Sequence, residues 1–283
     1  MFGDTGVRGF AALLAATALM GGLGCSDPAP SDPNAAIREI YYLSDLPGQV
    51  QPMAGYVEIA LNQQRKEFTP EQLKIASWTV REVLSAERLE KKVLDELEEQ
   101  TEREPLDAAL EWLRTPLVKK IMQTRIAASG PAGTAEMKFF IEKLRTNPPS
   151  EKRVKLVERY DQAGRVSILA IETMLLSGYA VAVMYDALKP AEEREGPAAL
   201  RESMKSQRAL LIPVFKETAA LTSLFVFRDI SDEELESFVL ASEGEVGKWY
   251  YATIWSVFLN AVLDFTANLG DVFVKTLESQ PAS

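Results

Sequence analysis

Two residue types limit the chemistry open to this chain. The sequence contains one cysteine, Cys25, and no histidine. Zinc hydrolases of the H-E-x-x-H type, Ser-His-Asp triads, Cys-His nucleophiles and most transition-metal sites need imidazole or thiolate. The sequence therefore argues against those enzyme classes, and we predict no metal site. Carboxylate, hydroxyl and lysine chemistry remain. A lone cysteine also forms no intramolecular disulfide, so stability has to come from packing.

One carboxylate suggests an enzymatic hypothesis. Glu236 directly precedes Ser237, as the catalytic glutamate precedes serine in many helical cell-wall lytic enzymes, where one carboxylate can act as general acid. The Gly-Leu-Met-Gln type of sequence that follows in those enzymes is absent here. Glu236 also lies just after the capping box that starts at Ser231, where acidic side chains stabilise a helix dipole. We therefore favour a structural role and predict no catalytic residue and no cofactor.

The residues around Cys25 are typical of an exported N-terminus. Arg8 precedes an apolar run at 10–20, which is shorter than the about 20 residues that cross a bilayer. The sequence Gly22-Leu23-Gly24-Cys25 resembles the lipobox of bacterial lipoproteins, although its glycine and leucine depart from the usual order. The resemblance implies that 1–24 is a signal peptide and that Cys25 is the lipid-attachment residue. The alternatives are an ordinary secretory signal with an incidental cysteine and a buried intracellular cysteine.

A short polar segment follows the cysteine. Residues 26–34, SDPAPSDPN, carry three prolines and two aspartates and offer little apolar surface to bury. We expect 25–36 to be a flexible tether that holds a folded body off a membrane. In Gram-negative lipoproteins the residue after the cysteine influences sorting, and Ser26 resembles the outer-membrane default. The expected location is the bacterial cell envelope, at the outer membrane facing the periplasm.

Overall charge restricts the partners. The net charge is −10 and the isoelectric point is near 4.8. Phosphate backbones are repelled by such a chain unless it carries a basic patch, and the sequence pattern shows none, so we predict no nucleic-acid partner. The most acidic segment is 95–104, DELEEQTERE. It lacks the D-x-D-x-D-G pattern of a calcium loop, so we interpret it as a solvated helix face.

The body of the chain has the patterns of an all-α protein. Thr69-Pro70-Glu71-Gln72 and Ser231-Asp232-Glu233-Glu234 mark helix starts, and Thr115-Pro116 marks the end of one helix and the start of the next. Strand-type alternation is hard to find. We expect ten or more helices in a bundle or array without a sheet, over a domain at 37–280, with a soft boundary near 147–150.

Two helices are unusually apolar. Residues 166–185 contain one charge, Glu172, and could be a membrane span or a buried central helix; the charge in mid-segment and the expected lipid anchor favour the buried helix. Residues 249–277 carry apolar side chains at helical spacing and a thin polar stripe. We favour a core helix with one solvated face. The alternative places that stripe along a cavity between the two helices that binds an apolar ligand.

A family resemblance lies next to the second capping box. Residues 235–250, LESFVLASEGEVGKWY, resemble the core motif of uncharacterised bacterial envelope proteins grouped as domain of unknown function 2059. The residues that carry the resemblance are Leu235, Phe238, Gly247, Lys248, Trp249 and Tyr250. Gly244-Glu245 departs from the Ser-Pro usual in the turn. The family has no assigned activity, so the resemblance implies no catalytic residues. Gly247 is expected to permit a positive φ in the turn.

A weak internal repeat accompanies this motif. Shifting the sequence by 129 positions aligns Leu106 with Leu235 and Lys119 with Lys248, and Thr115-Pro116 then falls in the turn. Two related helical units, beginning near 50 and 190, are expected. The favoured function is a lipid-anchored, non-enzymatic envelope protein with a binding or structural role and a protein or apolar-ligand partner. The alternatives are an apolar-ligand (lipid or peptide) carrier or chaperone and, less favoured, a carboxylate-based lytic enzyme.

Overall fold

Helices account for nearly all of the described chain. The computed structural model describes residues 33–129 and 131–279, and within these ranges it contains fourteen α-helices, two short 3-10 helices and no β-strand. The all-α prediction is confirmed. Cys25, the predicted signal peptide and most of the predicted tether lie outside the described residues.

The helices follow one another with short connections. Their bounds are α1 (Pro33–Leu43), α2 (Leu46–Val50), α3 (Met53–Gln63), α4 (Pro70–Val83), α5 (Ala86–Gln100), α6 (Arg103–Leu113), α7 (Pro116–Ser129), α8 (Pro131–Thr146), α9 (Glu151–Gly164), α10 (Val166–Ala187), α11 (Gly196–Val226), α12 (Asp232–Glu243), α13 (Glu245–Ala267) and α14 (Leu269–Glu278). The 3-10 helices are Arg65–Glu67 and Ala191–Glu193. One large cluster of buried side chains includes residues on both sides of 147–150.

Local sequence explains where several helices start. Before α4, the Thr69 hydroxyl accepts a hydrogen bond from the Gln72 amide at 3.2 Å, and the Thr69 amide donates to the Gln72 side chain at 2.8 Å. Ser231 and Glu234 form the same reciprocal pair before α12. These bonds satisfy amides that have no partner inside the helix. Both predicted capping boxes are confirmed.

The most apolar helix, α10, lies in the interior. It packs against α3, α11, α13 and α14, and side chains such as Tyr179, Ala180 and Met184 are fully buried or nearly so. Its single mid-helix charge, Glu172, lies 2.8 Å from the Arg208 guanidinium of α11 and is partly exposed. By length and composition, three helical stretches could cross a membrane: Val166–Ala187, Ala191–Val226 and Glu245–Glu278.

A buried aspartate ties α10 to α11. Asp186 is 5% exposed and accepts hydrogen bonds from the Gly196 amide at 2.9 Å and the Glu195 amide at 3.1 Å, while Lys189 Nζ lies 3.0 Å away. Burial alone would raise the pKa of Asp186, but the two amides and the lysine together lower it. The carboxylate therefore caps the start of α11 and fixes the antiparallel hairpin that α10 and α11 form.

The predicted helix at 249–277 is two helices. α13 ends at Ala267, Asn268 separates it from α14, and α14 packs against α4 and α10. A Cβ on Gly270 would lie 2.8 Å from the Val183 carbonyl oxygen of α10. The break at Asn268 directs α14 onto α10, and the missing side chain at Gly270 allows the two backbones to approach closely.

The two units aligned by the 129-residue shift have matching structures. α6 and α12 begin 129 positions apart, and so do α7 and α13. Each first helix contacts the other unit's second helix, α6 with α13 and α12 with α7. Seven aligned pairs are buried in both units: Leu106 and Leu235, Ala109 and Phe238, Leu110 and Val239, Leu113 and Ser242, Val118 and Gly247, Ile121 and Tyr250, Met122 and Tyr251. The match supports two related helix-turn-helix units.

The expected positive φ at Gly247 is wrong. Gly247 lies in the first turn of α13, and among described glycines the positive φ belongs to Gly196, at 76°. A Cβ on Gly247 would press against the Ser242 carbonyl and lie 2.6 Å from the Ala241 carbonyl oxygen. The missing side chain at Gly247 lets the backbones of α12 and α13 approach each other closely. In the first unit two residues separate the helices instead of one, and the aligned position holds Val118.

Candidate functional site

The predicted lipid-attachment residue, Cys25, lies outside the described residues. The first described helix starts at Pro33, within the predicted tether. From Asn34 onward α1 is part of the folded body, and Ile37 and Ile40 are buried in the main core. The segment between Cys25 and the body is therefore shorter than 25–36, and the polypeptide enters the body eight residues after the cysteine.

Glu236 lies on the outer face of α12. Its Oε2 is 2.9 Å from Lys152 Nζ of α9, and its side chain is 43% exposed. The hydrogen bond to Glu236 raises the pKa of Lys152. The adjacent Ser237 hydroxyl donates to the Glu233 carbonyl within the same helix, at 3.0 Å. The carboxylate is engaged in a solvated ion pair, whereas a catalytic acid needs a desolvated position next to a bound substrate.

A shallow cleft opens beside that helix. It has a volume of about 470 Å³, it is open to solvent, and its lining consists of Pro116, Leu117, Lys120, Glu233, Glu234 and Ser237. It lies where α7 and α12 start, between the two related units. Lys120 of α7 pairs with Glu234 of α12 at the cleft, with Nζ 2.9 Å from Oε1. A second cleft of about 250 Å³ lies between α1 and α5, with lining residues Asn34, Ile37, Arg38, Lys91, Leu94, Asp95 and Glu98.

The polar stripe of α13 and α14 faces outward. Ser256, Asn260, Asp264, Asp271 and Lys275 are exposed. The opposite side chains, Ile254, Val257, Phe258, Ala261 and Val262, are at most 1% exposed. α13 packs directly on α10, and both clefts described above lie elsewhere. The stripe is thus a solvated edge of a core helix, and the geometry between α10 and α13 lends no support to a carrier cavity.

The acidic segment 95–104 is divided between two helices. Asp95 pairs with Lys91 at 2.7 Å, and Glu96 pairs with Lys92 at 2.8 Å. Hydrogen bonds to Glu96 and Asp264 raise the pKa of Lys92. Across the described residues, no three His, Cys, Asp or Glu side chains come together as a metal site. Asp95 and Glu96 of this segment thus pair within α5, and Lys92 links α5 to Asp264 of α13 at 3.1 Å.

Sequence reasoning missed a semi-buried charged cluster. Arg125 of α7 donates from Nη2 to Asp45 Oδ2 at 2.6 Å and from Nη1 to the Tyr160 hydroxyl of α9 at 3.0 Å. Gln49 also donates to Asp45, at 3.0 Å. The Arg125 and Asp45 side chains are each 16% exposed. Burial alone would lower the pKa of Arg125, but the charge of Asp45 raises it above its ordinary value. Arg125 therefore stays charged.

An aromatic cluster surrounds this pair and joins the two related units. Trp112 of α6 stacks on Phe238 of α12 with ring centroids 5.9 Å apart, and it meets Tyr250 and Tyr251 of α13 edge-on. Burial raises the pKa of both tyrosines, and the charge of Arg125 opposes that rise. The arrangement fixes the helices at their junction, because buried aromatic and charge-assisted contacts demand one geometry.

Comparison with known proteins gives no relative for this chain. No protein-family model, no curated protein and no solved structure matches it. The resemblances to bacterial lipoproteins and to domain of unknown function 2059 thus stay predictions. They are carried by residues 22–25 and 235–250.

Proposed function

We propose that the protein is a lipid-anchored component of the bacterial cell envelope whose helical body has a non-enzymatic binding or structural role. The observation that carries the proposal is the position of the chain's one cysteine. Cys25 stands directly after the apolar run 10–20 and its small residues, and directly before a proline-rich segment. A thiol at that junction is suited to acylation, and the following segment to separating a body from a bilayer.

The build of the body supports a binding role. Most of its charged pairs lie at the surface, and its interior is filled by apolar and aromatic side chains. The strongest enzymatic candidate, Glu236, is held in a solvated pair with Lys152. Such a body presents shallow clefts and helix faces to partners, which are features of a protein-binding module more than of an enclosed catalytic site.

Metabolic labelling tests the lipid anchor. Cells expressing the chain are grown with radioactive palmitate, and the protein is treated with neutral hydroxylamine. This reagent removes thioester-linked acyl chains but leaves amide-linked acyl chains and the ester-linked acyl chains of a thioether-linked diacylglyceryl group. We expect label that resists hydroxylamine and disappears in Cys25→Ser. Label that persists in Cys25→Ser, or that hydroxylamine removes completely, contradicts the proposal.

A matched variant keeps the thiol but moves it. Cys25→Ser combined with Ser31→Cys leaves one cysteine in the chain, six positions beyond the original one and no longer next to the Gly-Leu-Gly sequence. Because lipoprotein acylation requires the cysteine directly after that sequence, this variant is expected to stay unlabelled. Labelling of the displaced cysteine would indicate ordinary reactivity of an exposed thiol.

Fractionation tests the proposed location. We expect the protein to sediment with outer membranes, and Ser26→Asp to shift it to inner membranes. Ser31→Asp places the same charge five residues further on and is expected to leave the location unchanged. Recovery of the unaltered protein in the soluble periplasmic fraction would contradict both the anchor and the location.

A further inference from the structure

Charge is distributed unevenly over the helices. α7, α8 and α11 together contain ten Lys or Arg and four Asp or Glu, a net charge of +6. The whole chain carries −10, so everything outside these three helices sums to −16. The three helices contact one another in pairs. They therefore form one basic group on an otherwise acidic protein.

Several of these basic side chains are solvent-exposed and make no ion pair with any described residue. They are Lys119, Lys138, Lys143, Arg145, Arg201 and Lys216. By contrast, Lys120, Lys205 and Arg208 are neutralised by Glu234, Glu202 and Glu172. Six positive groups are thus available to an external anion.

Exposed apolar side chains are concentrated on the same helices. Ile126 of α7 is 70% exposed, Phe139 of α8 67%, and Leu210 and Val214 of α11 79% and 41%. These are four of the seven large hydrophobic residues that the described chain exposes. They are spread over three helices among lysines and arginines, and two of them, Leu210 and Val214, lie one turn apart on α11. Protein-binding hot spots collect instead around a central pocket.

We propose that the exposed surface of α7, α8 and α11, the basic surface, lies against an anionic lipid bilayer. Lys and Arg side chains can reach lipid phosphates while apolar neighbours enter the headgroup boundary, the arrangement of interfacial helices. The net charge of −16 outside these three helices is repelled by the same bilayer, so charge also selects the orientation. The inference rests on the proposed function, because the lipid anchor is what keeps a bilayer within reach.

Vesicle binding tests the basic surface separately from acylation. The full chain is purified as Cys25→Ser, without lipid, and mixed with vesicles of phosphatidylglycerol or of phosphatidylcholine. We expect at least tenfold tighter binding to the anionic vesicles at low salt, with loss of that preference as salt rises. The N-terminal segment with Arg8 and the apolar run 10–20 is present in every sample, so its contribution is the same in each of the charge-reversal variants compared below. Equal affinity for both lipids overturns the proposal.

Charge reversal locates the contact. Lys138→Glu with Lys143→Glu is expected to weaken binding to phosphatidylglycerol vesicles at least tenfold. Lys66→Glu with Lys74→Glu changes the net charge equally on exposed lysines outside the basic surface and is expected to change binding by less than threefold. Equal losses in the two variants would mean that only total charge matters, which overturns the assignment to this surface.

A single label reports the orientation, since Cys25→Ser removes the chain's only thiol. Leu210→Cys carrying an environment-sensitive fluorophore is expected to shift to the blue on phosphatidylglycerol vesicles. Trp78→Cys, at a site 52% exposed on α4, is expected to stay unchanged. No shift at position 210, or binding of an acidic protein in place of vesicles, overturns the proposal. These measurements use protein without the lipid, so their outcome does not affect the palmitate-labelling test of Cys25, and failure of one proposal can be told from failure of the other.

Discussion

Arg125 and Asp45, eighty positions apart in sequence, meet at 2.6 Å inside the helical body. The pair joins α7 to the corner between α1 and α2, and the Arg125 bond to Tyr160 extends the link to α9. Around it lie the aromatic side chains that connect the two related helix-turn-helix units. One charged contact thus holds together segments that no local pattern connects.

Removal of one member of this pair is expected to be costly. Arg125→Met leaves the Asp45 carboxylate without its cation in a largely desolvated position, so we expect a loss of about 3–5 kcal/mol in the free energy of unfolding. Urea denaturation followed by circular dichroism measures it. In the double variant Arg125→Met with Asp45→Leu, neither charge remains, and the loss is expected to be smaller than the sum of the single losses.

An exposed ion pair provides the control. Arg81 is 69% exposed and pairs with Glu58, so Arg81→Met is expected to cost at most about 1 kcal/mol. A loss at Arg125 no greater than at Arg81 would contradict the role assigned to the buried pair.

The close contact at Gly247 gives a second prediction. Gly247→Ala places a Cβ against two backbone carbonyls of α12, and backbone cannot rotate away as a side chain can, so we expect a loss of about 1–3 kcal/mol. Gly178→Ala, where a Cβ meets nothing within 4 Å, is expected to gain about 0.5–1 kcal/mol from helix propensity. Thermal or urea unfolding measures the change in the free energy of unfolding for both variants. Equal changes in the two variants would contradict the close contact assigned to Gly247.

Local signals made much of the fold predictable from sequence. The capping boxes at Thr69 and Ser231 depend on residues three positions apart, and the apolar run of α10 is evident from composition. The contact between Arg125 and Asp45 could not be predicted from sequence, because it depends on the tertiary packing of helices that are distant along the chain. The role of the thiol at residue 25 and the internal repeat could be predicted from sequence. The basic surface could not, because it depends on the packing of three helices side by side.

Glu236 tests the enzymatic alternative. Since its carboxylate pairs with Lys152 at the surface, we expect Glu236→Gln to leave peptidoglycan turnover unchanged and to alter the free energy of unfolding by less than about 1 kcal/mol. Muropeptide release from purified sacculi measures the first effect, and urea unfolding the second. Glu233→Gln, on the preceding turn of the same helix, is the matched control. A selective loss of muropeptide release in Glu236→Gln would establish a lytic role.

The buried tyrosines predict a loss of stability at high pH. Burial raises the pKa of Tyr41 and Tyr250 well above the ordinary value and that of Tyr56 to about 12. Because the folded protein favours the neutral phenols, their contribution is fully present below the unfolded pKa of about 10 and declines as pH rises toward the folded values. Each such tyrosine adds up to about 1.4 kcal/mol per pH unit to the slope.

Urea unfolding between about pH 9 and 12, followed by tyrosinate absorbance, measures this slope. Tyr250→Phe removes one buried phenol and is expected to make the alkaline decline shallower. Tyr42→Phe is the comparison, because its ring is 61% exposed. A hydrogen bond to Glu90 also raises the pKa of Tyr42, so this variant is expected to make the decline shallower by less than Tyr250→Phe does. If both variants had the same slope as the unaltered protein, ionisation of Tyr250 would not be coupled to unfolding. Tyrosinate absorbance due to Tyr250 is the difference between the unaltered protein and Tyr250→Phe. Its appearance before any loss of helix would contradict the buried state of that phenol.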